Sequence, residues 1–178
     1  MTVFIETDRF IIRPISIDDI AGMYQLDSDP DVHLYVGRKP VTAIERSGEM
    51  IAAIHQQYRE FGIGRWAVEE KASGKFVGWT GFKFIKEPVN GHANYLDFGY
   101  RFQQKTWGKG YATETGRASL DYGINTLGYK NIFATTDVRN AASRNVLEKL
   151  GFKYKGIFAY DGEPTWREPG QPTTWYEL

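Results

Sequence analysis

The 178 residues carry 22 basic and 22 acidic side chains and no cysteine. A chain of this length suits one domain, residues 1–178, burying about 70% of the surface its unfolded form exposes. Balanced charge supplies no field that would recruit nucleic acid or an anionic membrane, and the absence of thiols excludes a disulfide framework, a thiolate metal site and a cysteine nucleophile.

The opening residues lack the basic and apolar regions of a secretory signal, and no run of about 18 apolar residues follows, so a cytoplasmic location is expected. Phe10-Ile11-Ile12-Arg13-Pro14 reads as a strand closed by proline, Ser16 with Asp18 and Asp19 as a helix start, and Asp27-Ser28-Asp29-Pro30 as its break. Arg9 and Arg13 are expected to be structural ion-pair partners. Apolar residues at Ile44, Met50, Ile51, Ile54 and Tyr58 predict a long helix ending near Gly62. Residues 66–69 and 76–82 are strand-like and joined through Lys71-Ala72-Ser73-Gly74, a hairpin signal. His33, His55 and His92 share no ligand spacing, so solvated or hydrogen-bonded roles are expected and a metal is not.

Leu96, Phe98, Tyr100 and Phe102 alternate with Tyr95, Asp97, Gly99 and Arg101, the period of a strand with one buried face. Trp107-Gly108-Lys109-Gly110-Tyr111-Ala112-Thr113-Glu114 follows, and from Tyr111 the spacing of Thr115, Ala118 and Tyr122 becomes helical, with Gly128 as terminator. Glycines let backbone approach a ligand, and the first turn of a helix presents unpaired N–H groups, so the turn suits a pyrophosphate with Lys109 as a mobile charge. The bland alternative is a tight turn opening an ordinary helix. Residues 132–138 read as a strand. Asn140 to Phe152 reads as a short helix with Asn140 at the N-cap and Gly151 beyond its end. Residues 153–160 and 173–176 are further strand candidates around a proline-broken connection. Mixed strands and helices with a hairpin argue for a mixed α/β (α+β) sheet.

The turn and the Asn140–Phe152 segment together resemble the acetyl-CoA core of the Gcn5-related N-acetyltransferases (GNAT). There a Gln/Arg-x-x-Gly-x-Gly/Ala turn cradles the cofactor, and Trp107, Gly110 and Ala112 stand at its three positions. Trp107 departs from Gln/Arg. Trp-Gly-x-Gly-Tyr-Ala-Thr-Glu, followed by Asn-x-x-Ser-x-x-Val-Leu-x-Lys-Leu-Gly-Phe, is similar to the RimJ/RimL-like branch, as are Thr7-x-Arg9-x-x-x-Arg13 and Ser28-Asp29-Pro30-Asp31-Val32. The resemblance implies the GNAT fold, a mostly antiparallel sheet of about seven strands splayed where the cofactor enters. It also implies acetyl-CoA as co-substrate. The implied contacts run along Phe98, Tyr100 and Phe102, through Trp107, Gly108, Lys109, Gly110, Tyr111, Ala112 and Thr113, and to Asn140.

Acetyl transfer to an amine needs a neutral amine, a held oxyanion and a proton for the thiolate. Without cysteine, direct attack in a ternary complex is the simplest scheme. Asp97, on the strand entering the turn, is the candidate base, with Glu163 and Glu168 as competitors and a solvated carboxylate as the alternative. Backbone N–H groups of residues 96–102 would hold the oxyanion. Many acetyltransferases carry a tyrosine where this chain has Leu147, so Ser143 becomes the candidate acid; the resemblance implies thiolate assistance there, and bonding to the preceding turn is the alternative. Trp66, Trp79, Tyr35, Trp166 and Trp175 either wall an acceptor pocket or fill the core.

The sequence thus reads as an acetyl-CoA-dependent N-acetyltransferase acting on a primary amine, with a protein or peptide N-terminus ahead of a small-molecule amine such as an antibiotic, a polyamine or an amino acid. The alternative from another class is a non-catalytic acyl-CoA-binding regulatory module. Either a monomer or a homodimer is compatible with it, with no nucleic-acid, membrane or metal partner. A Rossmann dinucleotide site fails because Gly108-x-Gly110 is followed by Thr113 rather than glycine.

Overall fold

The computed structural model describes residues 5–162 and 169–178. The strands are β1 (Ile5–Glu6), β2 (Phe10–Pro14), β3 (Arg65–Glu70), β4 (Lys75–Ile85), β5 (Tyr95–Phe102), β6 (Ile132–Asp137), β7 (Lys153–Ala159) and β8 (Pro172–Glu177). They form one eight-stranded sheet in the order β1-β2-β3-β4-β5-β6-β8-β7, antiparallel everywhere except between β5 and β6. One strand more is present than the expected seven. β1 is two residues long and pairs only with Ile11 and Ile12, too short to show an alternation.

Five helices cover the faces: α1 (Ile20–Asp27), α2 (Pro30–His33), α3 (Ile44–Phe61), α4 (Tyr111–Asp121) and α5 (Ala141–Lys149). Local signals set their ends. Ser16 and Asp19 form a capping box ahead of α1, and Gly62 closes α3 at φ 66°. Past α4 the chain widens into a π turn, Tyr122–Thr126, before Gly128 reverses it at φ 70°. No helix among the described residues is long and apolar enough to cross a membrane.

Strand alternation divides the core. On one face Phe10, Ile12, Trp66, Val68, Phe82, Phe98, Phe102, Ile132 and Tyr176 pack beneath α4 and α5 through Leu120 and Leu147. On the other face Ala67 and Trp79 meet Ile15, Met23 and Ile51 of the α1/α3 layer. Further across that second face a separate cluster forms from Val89, Tyr95, Phe133 and Trp175. Between the two clusters lies a polar strip over β4, β5 and β6.

The site is made by the parallel pair. β5 and β6 are joined only at Leu96–Ile132 and Asp97–Phe133. Beyond those residues each strand continues, β5 to Phe102 on β4 and β6 to Asp137 on β8, without bonding to the other. A gap therefore opens in the middle of the sheet.

Candidate active site

Above the gap, β5 leads through a 3-10 turn, Gln104–Thr106, into the glycine turn and α4. Gly108 and Gly110 both adopt left-handed backbone, φ 72° and 77°, which side chains disfavour. Gly110 is the N-cap of α4. Glu114 N–H bonds to the Gly110 carbonyl, so the preceding N–H groups of Tyr111, Ala112 and Thr113 have no intrahelical partner and point out of the helix end. Trp107 donates its indole N–H to the Phe102 carbonyl at 2.8 Å, while its ring stays 49% exposed.

The turn is fastened from the far end of the sequence. Arg9 donates to the Lys109 carbonyl at 2.9 Å and pairs with Glu114 at 2.7 Å; Thr7 donates to the same carboxylate at 2.6 Å. Burial pushes the Glu114 carboxyl up, but the bonds from Thr7 and Arg9 outweigh it and hold it below the usual range. Its charge is thereby paired with Arg9 rather than left free to repel an anion. Tyr111 donates to Glu70 and anchors the first turn on β3. This clamp spans more than a hundred positions, 105 between Arg9 and Glu114, and has no local sequence signal.

In a strand, residues two apart send their backbone groups to the same edge. Leu96 N–H bonds to the Asn131 carbonyl on the β6 side. The backbone groups of Phe98 and Tyr100 therefore face the gap, where β6 no longer meets them. The side chains of Phe98 and Phe102 lie in the core, so their contact with a cofactor is through backbone. The N–H groups of 98 and 100, the bare first turn of α4 and Lys109 make a donor set suited to an extended pantetheine arm and its pyrophosphate.

At the other rim, Asn140 caps α5 by accepting from Ser143 N–H at 3.0 Å. The Ser143 hydroxyl lies 3.1 Å from the Tyr100 hydroxyl, which donates to the Ser143 carbonyl at 2.9 Å. Burial pushes the Tyr100 phenol well above the ordinary tyrosine range, so it stays protonated. Leu147 is 2% exposed and faces the core. A phenol is thus present beside Ser143, supplied by β5 rather than by the helix.

Asp97 lies on the polar strip of the opposite face. It accepts from Arg65 at 2.5 Å through Oδ2, and Oδ1 has no hydrogen-bond partner among the described residues. Arg65 also donates to the Gly81 carbonyl at 2.6 Å, and the guanidiniums of Arg65 and Arg101 lie 5.0 and 5.3 Å from the Trp79 ring centroid. Lys83 pairs across the strands with Asp97. Burial and the Arg65 charge draw its ammonium below the ordinary lysine range, opposed by Asp97. Arg101 binds the fully buried Asp27 of α1 at 2.5 Å, and Asp137 at the end of β6 binds Arg139 at 2.6 Å. Hydrogen bonds from Arg139, helped by Gln171, hold Asp137 down at about 2.

Of the proposed aromatic wall, Trp66 and Trp175 are core and Trp79 is sandwiched by the arginines. Tyr35 sits half-buried in the loop after α2. Glu163, Trp166 and Glu168 lie outside the described residues. Arg13 pairs with Asp19 and Glu69. The expectation for the histidines needs one correction. His55 and His92 each bond a backbone carbonyl at 2.8 Å, whereas His33 is buried with neither ring nitrogen hydrogen-bonded among the described residues, 3.6 Å from Asp27. No described cluster of His, Asp and Glu could hold a metal ion.

The family model described as acetyltransferase (GNAT) domain matches residues 9–153. The Bacillus subtilis protein YkkB is 33% identical over 83% of this chain and 84% of its own length. Spermidine N(1)-acetyltransferase of Escherichia coli K12 is 28% identical over 84% of this chain and 76% of its own. Among solved structures, RimL, a ribosomal L7/L12 α-N-protein acetyltransferase in complex with coenzyme A, superposes with a TM-score of 0.81 over 99% of this chain and 97% of that one, at 15% identity.

Proposed function

Because the chain belongs to the GNAT acetyltransferase family and takes acetyl-CoA as its acyl donor, we propose that it acetylates the α-amine of a protein or peptide N-terminus by direct attack in a ternary complex. The backbone N–H groups of Phe98 and Tyr100 hold the oxyanion in the gap. Asp97 takes the ammonium proton through water at its free Oδ1. Ser143, steadied by the Tyr100 hydroxyl, delivers a proton to the leaving thiolate. Trp107, Gly108, Lys109, Gly110, Tyr111, Ala112 and Thr113 hold the pyrophosphate end, and Asn140 fixes the helix that carries Ser143.

One observation favours an α-amine. Asp97, Asp27 and Asp137 each hold an arginine, at 2.5, 2.5 and 2.6 Å, so among the described residues the polar strip offers no unpaired carboxylate to strip a proton from a strongly basic amine. An α-amine, with a reference value near 8 against about 10.4 for lysine, arrives with its neutral form accessible. The fold shared with RimL is consistent with this acceptor. The spermidine acetyltransferase among the relatives supports a second reading, a small polyamine.

The test is intact-mass analysis of peptides incubated with the protein and acetyl-CoA. A peptide with a free N-terminus should gain one acetyl group, and the same peptide blocked at the N-terminus but carrying an internal lysine should gain none; turnover of spermidine with neither peptide modified overturns the proposal. Ser143→Ala should lower kcat by about 100-fold, the lower end of general-acid contributions, with unchanged acetyl-CoA affinity. Undiminished turnover would return Ser143 to a helix-capping role.

A further inference from the structure

Among the described residues, the polar strip has more cations than carboxylates. Arg65, Lys83 and Arg101 face it from the strands, and Arg38 and Arg139 line a cavity of about 360 Å³ at its upper end together with Leu34, Gly37 and Gln171. Asp97 is taken by Arg65, Asp27 by Arg101 and Asp137 by Arg139. Glu69 of β3 is taken by Arg13. Lys83 and Arg38 are left with no hydrogen bond or ion pair among the described residues. Lys83 must share Asp97, its cross-strand neighbour, with Arg65, so the half-buried ammonium is only partly compensated, and a bound anion relieves the remaining cost.

The backbone around Arg38 also points to a ligand. Gly37 and Arg38 are consecutive left-handed residues, φ 82° and 54°, and the second is not glycine. Val36 and Arg38 both donate their N–H to the His33 carbonyl at 3.0 Å, which folds the loop tightly over the cavity. His33 in turn rests against Asp27, the partner of Arg101 on β5. The strained arginine is thus fixed relative to the strand that carries the chemistry, as strained residues at binding sites are.

Resting on the acetyltransferase reading, we propose that the acceptor carries a carboxylate close to its amine, and that Lys83 on the floor and Arg38 on the rim of the strip bind it. Two sources present this chemistry: the α-carboxylate of a free amino acid, or an acidic side chain at the second or third position of a peptide. Charge-assisted bonds of this kind carry both affinity and orientation.

The experiment measures kcat and KM for four acceptors at fixed saturating acetyl-CoA: a peptide with glutamate second, the same peptide with lysine second, free glutamate, and spermidine. Acetyl-CoA affinity is measured alongside by calorimetry. In the wild-type chain, one of the two glutamate arms should exceed the lysine peptide and spermidine in kcat/KM by at least about tenfold, and which arm does so identifies the source. Lys83→Met and Arg38→Gln should each raise KM for that acceptor by about tenfold and leave acetyl-CoA affinity unchanged. Arg38 is exposed, so Arg38→Glu should fold and should shift preference toward the lysine peptide. A wild-type preference for spermidine overturns the proposal, as does an unaltered KM in all three variants. Weakened acetyl-CoA binding in Arg38→Gln also overturns it, by reassigning the cavity to a phosphate of the cofactor. Failure of the wild-type chain to bind acetyl-CoA at all would instead strike the acetyltransferase reading on which this rests.

Discussion

Gly110→Asp is expected to abolish acetyl-CoA binding, with at least a 100-fold loss of affinity in a calorimetric titration. Three effects act together. The position sits at φ 77°, where an L residue costs about 1–2 kcal/mol. The residue caps α4, so a carboxylate there lies at the helix end where the partial positive charge would receive the pyrophosphate. An added Cβ finds only Arg9 nearby, at 3.5 Å, so Arg9 is free to turn from Glu114 to the new charge and unfasten the turn. Gly110→Ala isolates the first effect and should lose about 5- to 30-fold, the equivalent of its backbone strain. Because a Cβ meets no backbone atom there, the melting temperature of both variants should fall only by what the strain costs, about 2–8 °C. Tight binding by Gly110→Asp would remove the phosphate role from the turn.

The strand–turn–helix unit was legible in the sequence because its requirements are local. Alternation over residues 95–102 needs only one buried face, Gly108 and Gly110 answer to backbone angles, and Asn140 and Gly151 mark the two ends of one short helix. What binds these units together was not legible, because it joins residues far apart in the chain. Arg9 and Glu114 are separated by 105 positions, and Arg101 and Asp27 by 74. Nothing in either neighbourhood reveals the partner. Tyr100 shows the intermediate case. Its place on the cofactor strand follows from the alternation, but its hydroxyl beside Ser143 follows from how α5 crosses β5, which depends on where the sheet splays. His33 differs for a related reason. A lone histidine without ligand spacing reads as solvated or hydrogen-bonded, yet a buried aspartate six residues earlier draws it inside.

The second large effect is on stability. Asp27 is fully buried, with the Arg101 guanidinium at 2.5 Å and the His33 ring at 3.6 Å. Arg101→Met keeps the aliphatic packing against Trp79 but leaves the carboxylate without its guanidinium. Breaking a buried pair on one side costs about 3–5 kcal/mol, which urea unfolding at pH 7.5 should register as a large fall in the midpoint. The pH dependence identifies the cause. In the native chain burial pushes the Asp27 carboxyl up, and Arg101 and His33 together hold it below the usual range. Its folded value is therefore depressed, and its contribution is present above the ordinary carboxylate range and lost as the pH falls through it. Without Arg101, burial dominates and the folded value rises above the ordinary one. The sign then reverses: the folded state prefers the protonated acid, and the deficit should shrink as the pH is lowered from 7.5 toward 5. Adding Asp27→Asn to Arg101→Met should recover most of the loss at pH 7.5, since removing both charges leaves neither unpaired. A deficit that stays constant with pH would place the damage in packing at Trp79 instead. The same pair ties β5 to the loop bearing Arg38, so Arg101→Met should also raise the acceptor KM while leaving acetyl-CoA affinity unchanged. Arg101 reaches the acceptor only through that loop, and the glycine turn that holds the donor is fastened separately, by Arg9.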